Sequence, residues 1–175
     1  MKELRLSGSG GQGLITAGII LAEAAIMEGK EALQSQSYGP EARGGASKAE
    51  VIISDKPIYH PKVVNPEVLL AMTQKAAVSY IADVRKDGVL IIDEDLVPEV
   101  PDFAKVIKVP ITRLAVEKLG KELFANIIAL GMLVKVTGVV SFETISKAVA
   151  KRVPPATVDK NMEALRIGYE IVQAM

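Results

Sequence analysis

The chain has 175 residues, 49% of them hydrophobic and 24% charged, which is enough for one domain with a sizeable core. Lysine plus arginine and aspartate plus glutamate are equal at 21 each, and no basic stripe stands out, which argues against nucleic-acid binding. With no cysteine, the chain can supply no thiolate to an iron–sulfur cluster, and its single histidine argues against a zinc site built from this chain alone. No apolar run is long enough to cross a membrane and no export signal opens the chain, so we expect a cytoplasmic protein.

A glycine-rich turn follows the first predicted strand. Apolar and charged residues alternate over Leu4–Leu6, and Gly8, Gly10 and Gly13 then fit the pattern G-x-G-x-x-G at the start of an apolar helix. Glycines bring backbone N–H groups against an anion, and a helix N-terminus adds partial positive charge. The turn predicts a phosphate-type ligand; the alternative is a turn that only lets strand and helix pack closely. The candidate binding residues of this glycine turn are Gly8, Ser9, Gly10, Gly11, Gln12 and Gly13.

The first helix and the second strand come next. Spacings of four, three and four residues predict an apolar stripe on the helix that packs against the sheet. This stripe consists of Ile15, Ile19, Ala22 and Ile26. A dinucleotide site of the NAD type needs a carboxylate at the end of the second strand, about 20 residues beyond the glycines. Residues 32–37 read ALQSQS and contain no acid, which argues against NAD binding.

An arginine lies in the glycine-rich loop that follows the second strand, residues 38–45. Its guanidinium donors are free for a phosphate or a carboxylate, because glycines beside Arg43 do not crowd it. In the alternative, Arg43 pairs with Glu41 or Glu50 and orders the loop. In a doubly wound sheet this loop emerges at the same edge as the glycine turn. The candidate binding residues of this loop are Gly39, Arg43, Gly44 and Gly45.

Strands and helices alternate through the following segments. Strands are predicted over residues 47–54, 68–72, 89–92 and 106–109, with an antiparallel pair around residues 51–59 as one option. Thr73 and Thr112 are predicted helix caps, Ser141 and Thr144 are two candidates for the cap of the next helix, and the last helix covers residues 156–175.

Three further features bear on a ligand or on packing. Asp93, Glu94 and Asp95 end a buried strand; we considered Mg²⁺ there, but solvation of the strand end explains them better. Gly131 would let a second backbone approach closely. The amide of Asn126, another candidate binding residue, either faces a ligand or ties a neighbouring loop.

Three stretches together resemble a known family. They are GSGGQG at 8–13, QSYGPEARGG at 36–45 and NIIALG at 126–131, and the resemblance extends over essentially the whole chain. The chain resembles the gamma subunit of the 2-oxoacid:ferredoxin oxidoreductases, which corresponds to a domain inside single-chain pyruvate:ferredoxin oxidoreductases. The tyrosine followed by GPEARGG is most similar to the 2-oxoglutarate branch.

The resemblance implies a hetero-oligomeric enzyme that converts a 2-oxoacid, CoA and oxidised ferredoxin to acyl-CoA, CO₂ and reduced ferredoxin. It places thiamine diphosphate and Mg²⁺ between alpha and beta subunits and [4Fe-4S] clusters on a ferredoxin-like delta subunit. This chain is then expected to hold no cofactor, metal or catalytic residue of its own and to be inactive alone. Its implied role is to help bind CoA and to shape the active-site entrance.

The predicted fold is a single α/β domain over residues 1–175, with a Rossmann-like, mostly parallel sheet, helices on both faces and a helical C-terminal region. Two other functions stay open, a purely architectural subunit and a free-standing dinucleotide-binding dehydrogenase. The sequence also leaves open whether the isolated chain forms a homodimer.

Overall fold

Residues 1–38 and 46–174 are described by the computed structural model, and within them six strands form one sheet in the order β2-β3-β1-β4-β5-β6. The strands are β1 (Lys2–Ser9), β2 (Glu31–Tyr38), β3 (Ala46–Ser54), β4 (Val68–Ala71), β5 (Val89–Asp93) and β6 (Val106–Val109). The helices are α1 (Leu14–Met27), α2 (Gln74–Tyr80), α3 (Ile111–Leu119), α4 (Ala125–Thr137), α5 (Phe142–Arg152) and α6 (Val158–Gln173). Short 3₁₀ turns cover Ile81–Asp83, Glu122–Phe124 and Pro155–Thr157.

The sheet is parallel from β1 through β4 and β5 to β6, whereas β3 runs antiparallel between β1 and β2. The predicted α/β fold with helices on both faces is confirmed. The antiparallel pair considered around residues 51–59 is wrong, because residues 55–65 form no strand and β3 pairs with β2 and β1 instead. Pro57 and Pro61 lack the N–H groups that a strand ladder needs there.

Two apolar clusters cover the two faces of the sheet. Leu4, Leu6 and Leu70 face the larger cluster, in which α1, α3, α4, α5 and α6 pack. Leu69 and Leu90 face the smaller cluster, which contains α2. The helices that follow β1 and β4 therefore lie on opposite faces of the sheet.

The predicted stripe on α1 is correct only in part: Ala22 is buried and Ile15 packs against the core, but Ile26 lies outside it. Leu14, Ala17, Gly18 and Leu21 are buried, whereas 59% of Ile26 is exposed. The helix contacts β2 and β3 on one side and α5 on another, so it is apolar around most of its circumference. Such a helix gives no single stripe by which its orientation can be read.

The structural roles of Asp93 and Thr112 also differ from those predicted. Helix α3 begins at Ile111, so Thr112 is not its cap. The backbone N–H of Thr112 instead donates to Oδ2 of Asp93 at 2.7 Å, and the N–H of Asp95 donates to Oδ1 at 3.1 Å. Asp93 is fully buried and does not solvate the strand end. The cap predicted at Thr73 is confirmed, and of the two candidates Ser141 and Thr144 the cap of α5 is Ser141.

Helices α4 and α6 cross with their backbones in contact. A Cβ atom at Gly131 would lie 2.2 Å from the carbonyl oxygen of Leu165, and one at Gly168 would lie 1.8 Å from that of Ile128. Since α4 is buried over Ala125–Val134, the helices cannot separate without opening the core. The close approach predicted at Gly131 is confirmed.

Gly168→Ala should therefore destabilise the fold by about 3 kcal/mol, although alanine favours an isolated helix. Gly10→Ala is the matched control, because a Cβ atom at Gly10 meets nothing within 4 Å. Urea unfolding of both variants measures the difference. Equal midpoints for the two variants would contradict this packing.

Glu28, at the end of α1, fixes the start of α5. Its carboxylate accepts hydrogen bonds from the backbone N–H of Ser141 at 2.7 Å and from Nζ of Lys30 at 3.0 Å. Partial burial alone would raise the pKa of Glu28, but these bonds and those from the Ser141 and Thr144 side chains lower it to about 2. The ionised carboxylate therefore stabilises the folded state.

Glu28→Gln should lower the free energy of unfolding at neutral pH by roughly 1–3 kcal/mol. The pKa of Glu28 falls from an ordinary value of 4.5 to about 2 on folding, so its contribution is complete above 4.5 and is lost as pH falls toward 2. Denaturant titrations of wild type and variant should therefore converge in acid. A difference that is independent of pH would exclude a contribution from the charge.

Candidate functional site

The glycine turn (Gly8–Gly13) joins the end of β1 to the start of α1. Gly11 and Gly13 have φ angles of 88° and 74°, in the left-handed region that favours glycine. At Gly8 the constraint is steric, because a Cβ atom there would lie 2.1 Å from Oε1 of Gln12 and 2.8 Å from Cδ1 of Leu14. Three of the four glycines are thus required by backbone conformation or by space.

The side chain of Gln12 bridges two strands. Its Oε1 accepts a hydrogen bond from the N–H of Ser9 at 2.8 Å, and its Nε2 donates to the carbonyl of Met72 at 3.2 Å. These partners lie at the carboxyl ends of the adjacent parallel strands β1 and β4. Because α1 and α2 leave this point toward opposite faces, it is the topological switch point of the sheet, where open α/β sheets bind ligands.

Asn126 supports the turn from α4. Its Nδ2 donates to the carbonyl of Gly13 at 3.0 Å, and a Cβ atom at Gly13 would lie 2.6 Å from Nδ2. Of the two alternatives for Asn126, the structure shows the tie to a neighbouring loop. Oδ1 of Asn126 is buried and has no hydrogen-bond partner within residues 1–38 and 46–174.

The first turn of α1 carries no side-chain cap. Gly13 occupies the cap position, where serine, threonine or aspartate would accept a hydrogen bond from the helix, and its carbonyl accepts the N–H of Ala17. The N–H groups of the first turn are the usual donors to an anion at a helix N-terminus.

A cavity of about 440 Å³ opens beside the glycine turn. Four of the predicted residues line it, Ser9, Gly10, Gly11 and Gln12, whereas Gly8, Gly13 and Asn126 are not among its lining residues. The other lining residues follow the carboxyl ends of β4, β5 and β6, or lie just before α4 or at its first position. These are Met72, Leu96, Thr112, Glu122, Leu123 and Ala125.

The cavity has little charge of its own. Glu122 is the one ionisable side chain among the described residues that line it. Leu96 and Leu123 are 38% and 56% exposed, so apolar side chains form part of its rim. The cavity residues beyond the glycine turn were missed from the sequence; the shared strand edge was the signal that could have found them.

The residues on either side of segment 39–45, which contains the arginine, lie at the same end of the strands as the glycine turn. Tyr38 pairs with Ser47, and Ser47 pairs with Gly8 across β3 and β1. The Oγ of Ser47 also donates to the carbonyl of Gly8 at 3.5 Å. The candidates Gly39, Arg43, Gly44 and Gly45 lie outside the described residues.

Within residues 1–38 and 46–174, no group of three or more histidine, aspartate or glutamate side chains is arranged to hold a metal ion. Among the helices that the structure describes, none combines the length and apolar character needed to span a membrane.

Comparisons with known proteins agree over nearly the full chain. Residues 3–171 match the family described as pyruvate ferredoxin/flavodoxin oxidoreductase. The 2-oxoglutarate synthase subunit KorC of Methanocaldococcus jannaschii is 48% identical over 99% of this chain and 95% of the relative. The pyruvate synthase subunit PorC of Methanothermobacter marburgensis is 34% identical over 97% of both chains.

A solved structure has the same fold. The gamma subunit of a keto/oxoacid ferredoxin oxidoreductase from Geobacter sulfurreducens PCA superimposes with a TM-score of 0.91 and is 50% identical, covering 100% of both chains. The chain therefore belongs to the pyruvate ferredoxin/flavodoxin oxidoreductase family, and the resemblance to its gamma subunits, indicated by the two glycine motifs and residues 126–131, is confirmed.

Proposed function

We propose that the chain is the gamma subunit of a 2-oxoglutarate:ferredoxin oxidoreductase and that its glycine turn binds a phosphate group of CoA. The observation that carries the oxoacid assignment is the difference in identity, 48% to a 2-oxoglutarate synthase subunit against 34% to a pyruvate synthase subunit. The reaction would convert 2-oxoglutarate, CoA and oxidised ferredoxin to succinyl-CoA, CO₂ and reduced ferredoxin.

The turn supports the CoA assignment through its backbone. Gly10 and Gly11 have no side chain to shield their N–H groups, and both line the cavity at the switch point. The uncapped first turn of α1 follows directly in the chain and would add backbone donors and partial positive charge. Gln12 and Asn126 fix this backbone by bonding to Ser9, Met72 and Gly13. Their role is to position the backbone of the glycine turn.

Arg43 would supply the positive charge that the described lining residues lack. The residues that flank its segment, Tyr38 and Ala46, lie at the end of the strands that carries the glycine turn. A guanidinium binds phosphate through paired, charge-assisted hydrogen bonds. Backbone donors from the turn and one arginine from the loop would together hold a diphosphate or a ribose phosphate.

The chemistry of the reaction belongs to other chains in this proposal. This chain has no cysteine for an iron–sulfur cluster. Thiamine diphosphate and Mg²⁺ would lie between alpha and beta subunits, where the cofactor supplies the decarboxylation chemistry, and a ferredoxin-like delta subunit would carry electrons to ferredoxin. The gamma subunit would deliver CoA and border the entrance to that centre.

An architectural role is the second candidate, favoured by one observation. The polar atoms of Gln12 and the Nδ2 of Asn126 bond within the chain, as they would in a turn built only for packing. A free-standing dehydrogenase is not proposed, because β2 ends in Gln36, Ser37 and Tyr38 without a carboxylate for a ribose.

Gly10→Val separates these two roles. A Cβ atom at Gly10 meets nothing within 4 Å, so the valine should be tolerated by the fold while its methyl groups enter the cavity. In the assembled complex we expect the KM for CoA to rise by roughly tenfold or more, the equivalent of about 1.4 kcal/mol. Steady-state assays with 2-oxoglutarate and a low-potential dye measure it.

Val78→Ala is the control for Gly10→Val, because Val78 is 62% exposed on α2 and does not line the cavity. An unchanged CoA dependence in an assembled Gly10→Val complex would contradict phosphate binding by the turn. Loss of assembly with normal stability of the isolated chain would favour the architectural role.

Arg43→Ala tests the proposed contact between this arginine and a phosphate group of CoA. Loss of one charge-assisted contact of about 1.5 kcal/mol should raise the KM for CoA by roughly tenfold. Arg43→Lys, which keeps the charge but not the fork of donors, should recover part of the loss. A pull-down of partner subunits with Arg43→Ala serves as the control, since an anchoring arginine would weaken assembly and leave the KM unaltered.

A further inference from the structure

The two edges of the sheet differ in how they are protected from pairing. At one edge, β6 is four residues long, carries the exposed Lys108 and is followed by Pro110. A short strand, a lysine and a proline are common means of preventing a second chain from adding to a sheet. The β6 edge is therefore protected against pairing with a strand of another chain.

The opposite edge, β2, has none of these features. It is eight residues long and pairs with β3 alone among the described strands. Glu31, at its beginning, is its one charged residue, and Ala32–Tyr38 contains no proline. All its side chains are at least partly exposed, and 67% of Tyr38 is accessible to solvent. Alternate backbone N–H and C=O groups of an edge strand point away from its one neighbour and can pair with another strand. Within the chain, the carbonyl of Ser35 accepts a hydrogen bond from the side-chain Nε2 of Gln34 at 3.3 Å, a contact that the side chain can give up when the strand pairs.

We infer that β2 pairs antiparallel with β2 of a second copy of this chain, about a twofold axis at Ser35, to give one continuous twelve-stranded sheet. An axis normal to the sheet keeps each side chain on its own face, so residues of equal parity become opposite. Ser35 then faces Ser35, Gln34 faces Gln36, Leu33 faces Ser37, and Ala32 faces Tyr38.

The composition of β2 suits this register. No like charges meet, because Glu31 falls outside the paired stretch of Ala32–Tyr38. The amides of Gln34 and Gln36 already lie on one face, with Nε2 of Gln34 3.4 Å from Oε1 of Gln36, and would form a ladder across the axis. Tyr38 gains a partner in Ala32. An axis at Gln34 would instead bring Glu31 into the ladder and leave Tyr38 unpaired.

This inference rests on one strand of the chain and not on the proposed function. A failed CoA experiment leaves it unaffected, and a monomeric chain would leave the CoA proposal unaffected. The surface also lies on β2 itself and uses none of the residues that line the cavity.

Cysteine cross-linking tests the register, because the chain contains no other cysteine. In the proposed dimer the Cα atoms of opposite residues at Ser35 are about 4.5–5.5 Å apart, within reach of a disulfide. The Cα atoms of the two Ser37 residues are separated by four residue steps, about 14 Å. Ser35→Cys should cross-link almost completely on mild oxidation and Ser37→Cys should not.

Ser37 is more exposed than Ser35, so cross-linking by random collision would be more extensive for Ser37→Cys than for Ser35→Cys. Cross-linking of Ser37→Cys to the same extent as Ser35→Cys would overturn the register. Sedimentation equilibrium of the wild-type chain should give twice the chain mass, and Ser35→Lys should shift it to the monomer through like-charge repulsion, while Val78→Lys on α2 should not. A wild-type monomer at tens of micromolar would overturn the inference.

Discussion

The side-chain amide of Gln12 holds together the part of the molecule on which the candidate site depends. It bonds to the N–H of Ser9 and the carbonyl of Met72, and so joins β1 to β4 where their helices diverge to opposite faces. Gly8 must lack a side chain because the amide occupies that space. Asn126 adds a bond to Gly13 from α4. With the Gln12 amide and Nδ2 of Asn126 engaged inside the chain, the groups left for a ligand are chiefly backbone donors.

The features that were predictable from sequence have local causes. The glycine turn follows from glycine spacing between an alternating strand and an apolar run, and it lies where that pattern places it. Ser141 caps α5 because a serine before a helical pattern accepts a bond from the first turn. Gly131 indicated a close backbone contact, and α6 supplies it. In the first two cases residues only a few positions apart determine the outcome, and in the third a single glycine in an apolar helix indicated the contact without identifying its partner.

The features that could not be predicted depend on contacts between distant segments. Asp93, at the end of β5, accepts the N–H of Thr112 in the first turn of α3, so local cap preferences pointed to the wrong residue as the start of α3. The orientation of α1 is set by its burial against both sheet and helices, which removes the single stripe that a surface helix would show. The choice between the two roles of Asn126 required knowing that α4 lies beside Gly13.

The most direct test of the central claim, that the glycine turn presents backbone donors to CoA, is amide hydrogen exchange in the assembled complex with and without CoA. We expect CoA to slow exchange in peptides that cover residues 8–16, while peptides from α5 stay unchanged. Exchange over residues 8–16 that is the same in both states, at saturating CoA, would contradict the claim.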